Sequence, residues 1–232
     1  MATSLPATHG ATRAALHTVA EHVLAPALHR ATGRIGLRPT PGGFGTPWFP
    51  AGDRQRQVRV EGTDLVVAER GAQPATQRRA PLRTVGDAAS LAEVEPGAPA
   101  DVYPPVMPLE PDVPLDLDPA AARVIHGWFH LTGQALEAFS REHAAEEPTI
   151  AQLWPEHFDL AISMAEVNYG GSPGDDDHDA PYVYVGPWNL DGGGDSFWNE
   201  PFGASRPYDE VGAVGDAIAF FEAGRAVAPS AR

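Results

Sequence analysis

The chain has 232 residues, enough for one large domain or two small ones, with a formal net charge of −15. Such an acidic surface repels nucleic acid and anionic membranes, and because every one of the 16 basic residues is Arg, Schiff-base and phosphate-loop lysines are excluded. The chain has no cysteine, no basic-then-apolar signal pattern and no apolar run near the roughly 20 residues of a membrane span, so we expect a cytoplasmic protein without thiol chemistry.

The first half of the chain, residues 11–94, is predicted to follow a flexible tail of residues 1–10. A helix is predicted from Ala11 to Leu24, with Pro26 ending or kinking it. His17 and His22 lie five positions apart on different helical faces, which favours solvent-facing side chains over a metal pair. Later elements of this half are a strand at 33–38, a glycine-rich turn or edge strand at 39–50, a hairpin at 55–69, a strand at 80–85 and a short helix at 87–94 capped by Asp87.

A proline-rich strap, residues 95–118, is predicted to join this half to the C-terminal half, residues 119–226. Its proline density excludes a helix or a central strand, so we expect an extended, polyproline-like segment on the surface. A long helix should follow, with Asp118 as its cap and Pro119 at its first position, ending near His143. His126 and His130, four apart on a flank shared with Glu137, either chelate a metal or belong to an ordinary solvent face.

The most informative segment begins with a predicted strand from Trp154 to Ala165. Period-two alternation places its large apolar residues on one face and His157 and Asp159 side by side on the other, about 6–7 Å apart at Cα. A second strand is predicted from Tyr182 to Trp188, antiparallel to the first. The loop between them, residues 166–181, is rich in turn-forming residues.

The face that carries His157 and Asp159 is predicted to line a small-molecule pocket. In this hypothesis His157 is a general base or metal ligand, and Asp159 fixes its tautomer or shares the metal; the alternative is a structural histidine and an aspartate bonded to a nearby loop. Polar and aromatic residues of the same segment are predicted to contact the ligand: Asn168, Tyr182, Tyr184, Trp188, Trp198, Asn199 and Glu200.

Two motifs in the loop resemble known functional sequences, a serine nucleophile elbow and a calcium-binding loop. The sequence Gly170–Gly174 matches a serine nucleophile elbow, but Pro173 lacks the N–H that the oxyanion requires, which favours a tight loop. Asp175, Asp177 and Asp179 alternate like the first ligands of a calcium loop. Ala180 and Gly186 stand where that loop needs glycine and a bidentate glutamate, so only a looser cation site, helped by Asp191 or Asp195, is predicted.

The order of elements resembles a family of uncharacterised bacterial proteins classed as a domain of unknown function. The matching motifs are the segments at 33–37, 81–85, 118–123 and 158–161, the strap, and Pro207-Tyr208 before a last helix predicted from Val214 to Arg225. The resemblance covers about residues 10–225 and implies an α+β domain without a known activity.

We therefore expect one compact α+β domain at residues 11–226, with a largely antiparallel sheet and three or four helices. The leading functional hypothesis is a pocket around His157 and Asp159 for a small molecule or metal, serving an enzyme of acid–base or metal-assisted type. The alternative is a non-catalytic structural or protein-interaction domain. The sequence indicates neither a particular cofactor nor an oligomeric state.

Overall fold

The computed structural model describes residues 4–71, 74–190 and 196–228, and it has the predicted α+β class with antiparallel sheets. Its contacts divide the chain into two units. The first unit contains residues 5–127 and 153–158, and the second contains residues 128–152 and 159–232 with the first four residues. The strap therefore belongs wholly to the first unit, and the division falls inside the long helix that follows it.

The first unit opens with α1 (His9–Val19), a π-helical segment (Ala20–Leu24) and α2 (Ala25–Thr32). Pro26 does not end this helical stretch, which excludes one of the two predicted effects, an end or a kink. It lies at the start of α2, immediately after the π-helical segment, where the helix geometry changes and a missing N–H is tolerated. α2 ends at Gly33, whose φ of 70° is readily adopted by glycine.

A six-stranded antiparallel sheet forms the other layer of the first unit. Its central hairpin pairs β4 (Arg54–Glu61) with β5 (Asp64–Arg70), which confirms the predicted hairpin. The strand expected at 80–85 instead ends at Pro81, and the helix after it is capped by Thr84, whose hydroxyl accepts from the Asp87 N–H. The elements are β1 (Arg38–Thr40), β2 (Gly43–Gly45), β3 (Phe49–Ala51), β4 (Arg54–Glu61), β5 (Asp64–Arg70), β6 (Thr76–Pro81) and α3 (Val85–Ala92).

The long helix α4 (Pro119–Glu142) begins as predicted. The Asp118 carboxylate accepts the N–H groups of Ala120 and Ala121, both at 2.8 Å. The helix buries one stripe of side chains at helical spacing, all at most 2% exposed: Ile125, Trp128, Phe129, Thr132, Leu136 and Phe139. His126 is buried rather than on a solvent-facing flank, and its Nε2 lies 2.9 Å from the Gly62 carbonyl.

The second unit contains an antiparallel sheet whose last four strands pair in chain order: β8 (Asp159–Met164), β9 (Val167–Ser172), β10 (Tyr182–Pro187) and β11 (Ala204–Pro207). One face of this sheet packs on helices, with the Tyr169 ring against Phe139 of α4 and Phe221 of α5 (Val214–Val227). The elements from residue 144 onward are a 3₁₀ turn (Ala144–Glu146), β7 (Gln152–Trp154), β8 (Asp159–Met164), β9 (Val167–Ser172), β10 (Tyr182–Pro187), β11 (Ala204–Pro207), a 3₁₀ turn (Tyr208–Glu210) and α5 (Val214–Val227).

Strand β9 replaces much of the loop that the sequence predicted between β8 and β10. It lies between these two strands, which therefore do not pair with each other as expected. Its glycines are required by close packing rather than by a turn. A Cβ on Gly171 would lie 2.6 Å from Thr132 Oγ1, and one on Gly170 would lie 2.6 Å from the Tyr184 ring.

Within the described ranges, no helix combines the length and the apolar character needed to cross a membrane.

Candidate functional site

The predicted strand from Trp154 to Ala165 is interrupted by a turn at residues 155–158. The N–H of Phe158 donates to the Trp154 carbonyl at 2.7 Å, and Phe158 has a φ of 53°. His157 is exposed within this turn, and β8 starts only at Asp159. The prediction that one strand carries His157 and Asp159 is therefore wrong, because residues in a turn do not follow the period of a strand.

Alternation does hold from Asp159 onward and creates the polar sheet face. The alternate residues Leu160, Ile162 and Met164 are buried, whereas Asp159 lies on the opposite face of β8. Tyr184 of β10 reaches across the glycine at position 170, and its hydroxyl donates a hydrogen bond to the Asp159 carboxylate. Asp159 and the β10 tyrosines thus share one face, as predicted. We call this surface, with the two loops that border it at 173–181 and 196–203, the polar sheet face.

Burial is the main cause of a strongly raised pKa at Tyr184. The Asp159 carboxylate adds to it, because a negative charge beside a phenol opposes loss of the phenolic proton. Tyr184 is consequently a protonated hydrogen-bond donor at neutral pH. Because this proton is donated to Asp159, the pair presents acceptor oxygens to the polar sheet face.

A histidine that the sequence did not select as a site residue occupies the centre of this face. His178 Nδ1 lies 3.1 Å from Asp175 Oδ1, and His178 Nε2 lies 3.1 Å from Glu200 Oε1. An ionised carboxylate only accepts hydrogen bonds, so both ring nitrogens must carry protons to donate. The arrangement therefore holds an imidazolium between two carboxylates contributed by two different loops.

The titration behaviour of the three groups agrees with this geometry. Burial alone would lower the pKa of His178, but its hydrogen bonds to Glu200 and Asp175 outweigh burial and raise it. Burial likewise opposes ionisation of Asp175, yet hydrogen bonds from Tyr182 and His178 lower its pKa. The hydrogen bond from the Ser205 hydroxyl is the main cause of a lowered pKa at Glu200. Burial opposes this effect, and the contact with His178 lowers the pKa further. The charged form of each group is thus the stabilised one.

Aromatic rings and hydroxyl groups surround the imidazolium. The Tyr182 ring lies 4.5 Å from that of His178, and the Phe202 ring lies 6.4 Å away, between centroids. The Tyr182 hydroxyl donates to Asp175 Oδ2 at 2.5 Å, and the Ser205 hydroxyl donates to Glu200 Oε1 at 2.7 Å. The His178 side chain is still 26% exposed, so a solute can reach it.

The remaining predicted ligand contacts are arranged around the cluster rather than in it. Asn168 Oδ1 accepts from the Trp188 indole at 3.0 Å and from the Ser163 hydroxyl at 2.7 Å, while Trp188 is 65% exposed. The Asn199 amide bonds to both backbone groups of Ser205 and so fixes the start of β11. The Trp198 ring packs against Phe197 at 5.1 Å.

The predicted cation site is not assembled in the described residues. Asp175 Oδ1 accepts the N–H groups of Asp177 and His178, whereas Asp177 and Asp179 are exposed. Across residues 4–71, 74–190 and 196–228, no three His, Asp or Glu side chains are grouped to hold a metal ion. Asp191 and Asp195 lie outside the described residues.

His178 was missed because its partners come from different parts of the sequence. Asp175 was predicted only as a cation ligand, and Glu200, 22 positions after His178, only as a ligand contact. One local feature of the sequence points to this loop, because aspartate often forms an Asx turn. In such a turn its carboxylate accepts backbone N–H groups two and three positions later, as Asp175 does from Asp177 and His178. Such a turn fixes the loop that carries His178.

Clefts elsewhere in the chain do not coincide with this cluster. Two open clefts of about 180 and 260 Å³ belong to the first unit and are lined by its helices and the strap or by α2, β3 and α3. Neither is lined by His157, Asp159 or His178. The polar sheet face is therefore identified as the candidate site from its charged and aromatic groups, because neither of these two clefts coincides with it.

No protein-family model, curated protein or solved structure matches this chain. The resemblance to an uncharacterised bacterial family stays a prediction.

Proposed function

We propose that the polar sheet face binds a small polar molecule and that His178, an imidazolium whose two N–H groups are held by Asp175 and Glu200, supplies a fixed positive charge beside it. The observation that carries this proposal is the contact of both His178 ring nitrogens with carboxylates while part of the ring is open to solvent. Two acceptors keep the ring charged and in a fixed orientation, so the site presents its positive charge in a constant position.

Asp159 stays a site residue in this proposal, but its partner is Tyr184 rather than a histidine, and His178 takes the place of His157. The Asp159 carboxylate accepts from the Tyr184 hydroxyl and adds acceptor capacity to the face, and the Tyr182 ring offers an apolar wall. A ligand with several hydroxyl groups fits this mixture best, because it can donate to the carboxylates while packing on an aromatic ring.

Histidine-detected NMR of the purified protein tests the proposal with monosaccharides, small carboxylic acids and small amines as probes. We expect a sugar to shift the His178 ring signals in a saturable way, and His178→Gln to abolish the binding. His130→Gln is the matched control, because His130 is exposed on α4. The proposal fails if no probe perturbs His178, or if His178→Gln binds the same probe as well as the wild type does.

A cytoplasmic location is part of this proposal and is supported by the absence of cysteine. A second candidate function, a non-catalytic protein-interaction domain, is favoured by a different observation. Several large apolar side chains of the strap face solvent.

A further inference from the structure

The polar sheet face has a second aromatic feature, Trp188, at the end that lies away from His178. Trp188 directly follows β10 and is 65% exposed. Its indole N–H donates to Asn168 Oδ1 at 3.0 Å, and its backbone N–H donates to the Glu166 carbonyl at 2.8 Å. Hydrogen bonds rather than burial therefore hold this ring in place, so little freedom is lost when a ligand packs on it.

The Asn168 side chain is oriented by the same contacts. It lies on the polar sheet face, because its neighbours Val167 and Tyr169 are buried on the opposite side of β9. An indole N–H is only a donor, so the amide oxygen of Asn168 must face Trp188. The amide nitrogen has no partner in the described residues and is not buried, which leaves its two N–H groups open to a ligand beside the ring.

Exposed aromatic side chains are concentrated on this face. Among the large apolar side chains that are exposed in the described ranges, two are aromatic, Trp188 and Phe202 at 41%. The Phe202 ring lies 6.3 Å from that of Tyr184 and 6.4 Å from that of His178, between centroids. Within the part of the chain that the structure describes, no second ring packs against Trp188. The indole is thus a flat platform and not part of an aromatic cage of the kind that encloses an ammonium group.

The two ends of the face are too far apart for one small molecule to contact both. Asn168 pairs with Gly186 of β10, four residues after Tyr182. At about 3.3 Å per residue, the two ends are therefore roughly 13 Å apart. Gly186 has no side chain, so the surface between the ends stays low. A single sugar ring is shorter than this distance, whereas a short chain of linked sugar rings can span it.

We propose that the polar sheet face binds a neutral oligosaccharide, with one sugar ring stacked on Trp188 and another beside Tyr182 and His178. The inference rests on the function proposed above and names its ligand. A sugar ring has C–H groups on its faces and hydroxyl groups at its rim. It can therefore pack on an indole while its hydroxyl groups bond to the amide and carboxylate groups around that ring.

The charge of the face explains why the sugar is neutral. The three carboxylates of Asp159, Asp175 and Glu200 outnumber the one imidazolium of His178. A uronic acid or a phosphorylated sugar would be repelled by this excess of negative charge. The hydroxyl groups of a neutral sugar instead donate to these oxygens.

An NMR titration of the full-length protein tests the proposal with cellotriose, maltotriose, xylotriose and chitotriose, each compared with its monosaccharide. We expect at least one trisaccharide to shift both the Trp188 indole N–H signal and the His178 ring signals. It should bind roughly tenfold more tightly than its monosaccharide, because only the longer ligand reaches the indole. Trp188→Ala should remove this gain and leave the monosaccharide affinity unchanged, whereas Trp188→Phe, which keeps an aromatic face, should retain part of it.

Two further variants separate stacking from general effects. Asn168→Asp keeps the acceptor for the indole N–H but removes both amide donors, so it should weaken trisaccharide binding several-fold. Trp48→Ala is the matched control, because Trp48 is a half-buried tryptophan of the first unit, and it should change neither affinity. Unchanged melting temperatures verify the fold of each variant.

The outcomes separate this inference from the function on which it rests. If a monosaccharide shifts His178 but no trisaccharide binds more tightly, the oligosaccharide is ruled out and the proposed function stands. The same holds if Trp188→Ala leaves the trisaccharide affinity unchanged, or if trigalacturonate binds better than the neutral trisaccharides. If no probe shifts the His178 signals, the proposed function and this inference both fail.

Discussion

Two histidines of this protein are held in opposite charge states by the groups that their ring nitrogens contact. His178 faces carboxylates through both nitrogens, so the imidazolium is favoured. His17 donates through Nε2 to the Pro155 carbonyl at 2.8 Å and stacks on Phe158, and burial together with nearby cationic groups lowers its pKa to about 4. The ring type is the same, and the environment decides its charge.

The predicted solvent exposure is wrong for His22, which is buried, and holds only in part for His17, which is half-buried, for a related reason. Their partners lie 138 and 85 positions away in the sequence, at Pro155 and Met107. Helical spacing gives the face on which a side chain lies but not what covers that face. Conversely, Asp159 and the β10 tyrosines were placed together correctly, because period-two alternation is a local property of a strand.

The charge on His178 makes its stabilising contribution depend on pH. Its pKa in the folded protein is raised, so the contribution is fully present below the ordinary pKa of about 6.5 and is lost as pH rises through the folded value. The difference in melting temperature between wild type and His178→Gln should therefore shrink as pH is raised from about 6 to 9. A difference that stays constant over this range would contradict the imidazolium assignment; His130→Gln controls for removal of a surface histidine.

His17 should make the protein less stable in mild acid. Its folded pKa of about 4 lies below the ordinary value of 6.5, so the unfolded chain binds more protons between these values. Free energies of unfolding from urea titrations should therefore fall as pH decreases through this window. In His17→Gln, which retains a donor for the Pro155 carbonyl, the fall should be shallower, and equal slopes for both proteins would rule out the lowered pKa.

At the level of elements, α4 and β9 show which features the sequence specifies locally. The cap at Asp118, the proline at position 119 and the apolar stripe of α4 all lie within the helix or next to it, so its position was predicted closely. Strand β9 was missed because Gly170 and Gly171 are common in turns. Here they allow the approach of Tyr184 and Thr132, which only the folded protein reveals.

Gly171→Ala should destabilise the protein by about 1–3 kcal/mol, because its Cβ would overlap Thr132. Thr132→Ala in the same chain should recover part of that loss by removing Oγ1 and Cγ2. Chemical denaturation of both single variants and the double variant gives the coupling free energy. Strictly additive effects would show that Thr132 is not the obstacle.

Gly127→Ala is the matched control for an added methyl group. Gly127 is exposed on α4 with no atom within 4 Å of the new Cβ. The substitution should stabilise the protein by roughly 0.5–1 kcal/mol through helix propensity.

The attachment of the strap to the π-helical segment can be tested through Glu21. In Glu21→Gln the amide group replaces one acceptor with a donor, so a backbone N–H of Val106 or Met107 loses its partner. We expect a loss of about 1–3 kcal/mol in the free energy of unfolding. Amide hydrogen exchange at these two positions should accelerate, whereas Glu137→Gln should change neither quantity.

At the scale of the whole molecule, the sequence predicted the α+β fold class but not where the chain divides into its two units. Short β-patterns between helices indicated an α+β protein with antiparallel sheets, which the structure has. Prolines indicated a connection between halves at the strap, yet contacts place residues 95–118 within one unit. Sequence segments that look like connectors become part of a unit when distant side chains such as Glu21 bind their backbone.

The excess of carboxylates, 31 acidic residues against 16 basic ones, should make folding sensitive to ionic strength. Because the compact state concentrates this charge, screening by salt reduces its self-repulsion. The melting temperature at neutral pH should rise between about 20 and 200 mM NaCl. A fall over this range would mean that surface ion pairs such as Arg79 with Glu61 outweigh the net repulsion.

The π-helical segment Ala20–Leu24 has a consequence for how this sequence tolerates changes in length. A π-type turn accommodates an additional residue compared with an α-type turn. Deleting one residue between Val19 and Ala25 can be absorbed by converting the π-type turn into an α-type turn, so α2 keeps its orientation and Leu28, now 1% exposed, stays in the core. A deletion elsewhere in α1 or α2 would instead rotate the residues after it by about 100° around the helix axis. Homologues that keep this fold should therefore show a change in length of one residue in this segment rather than in the neighbouring turns of α1 and α2.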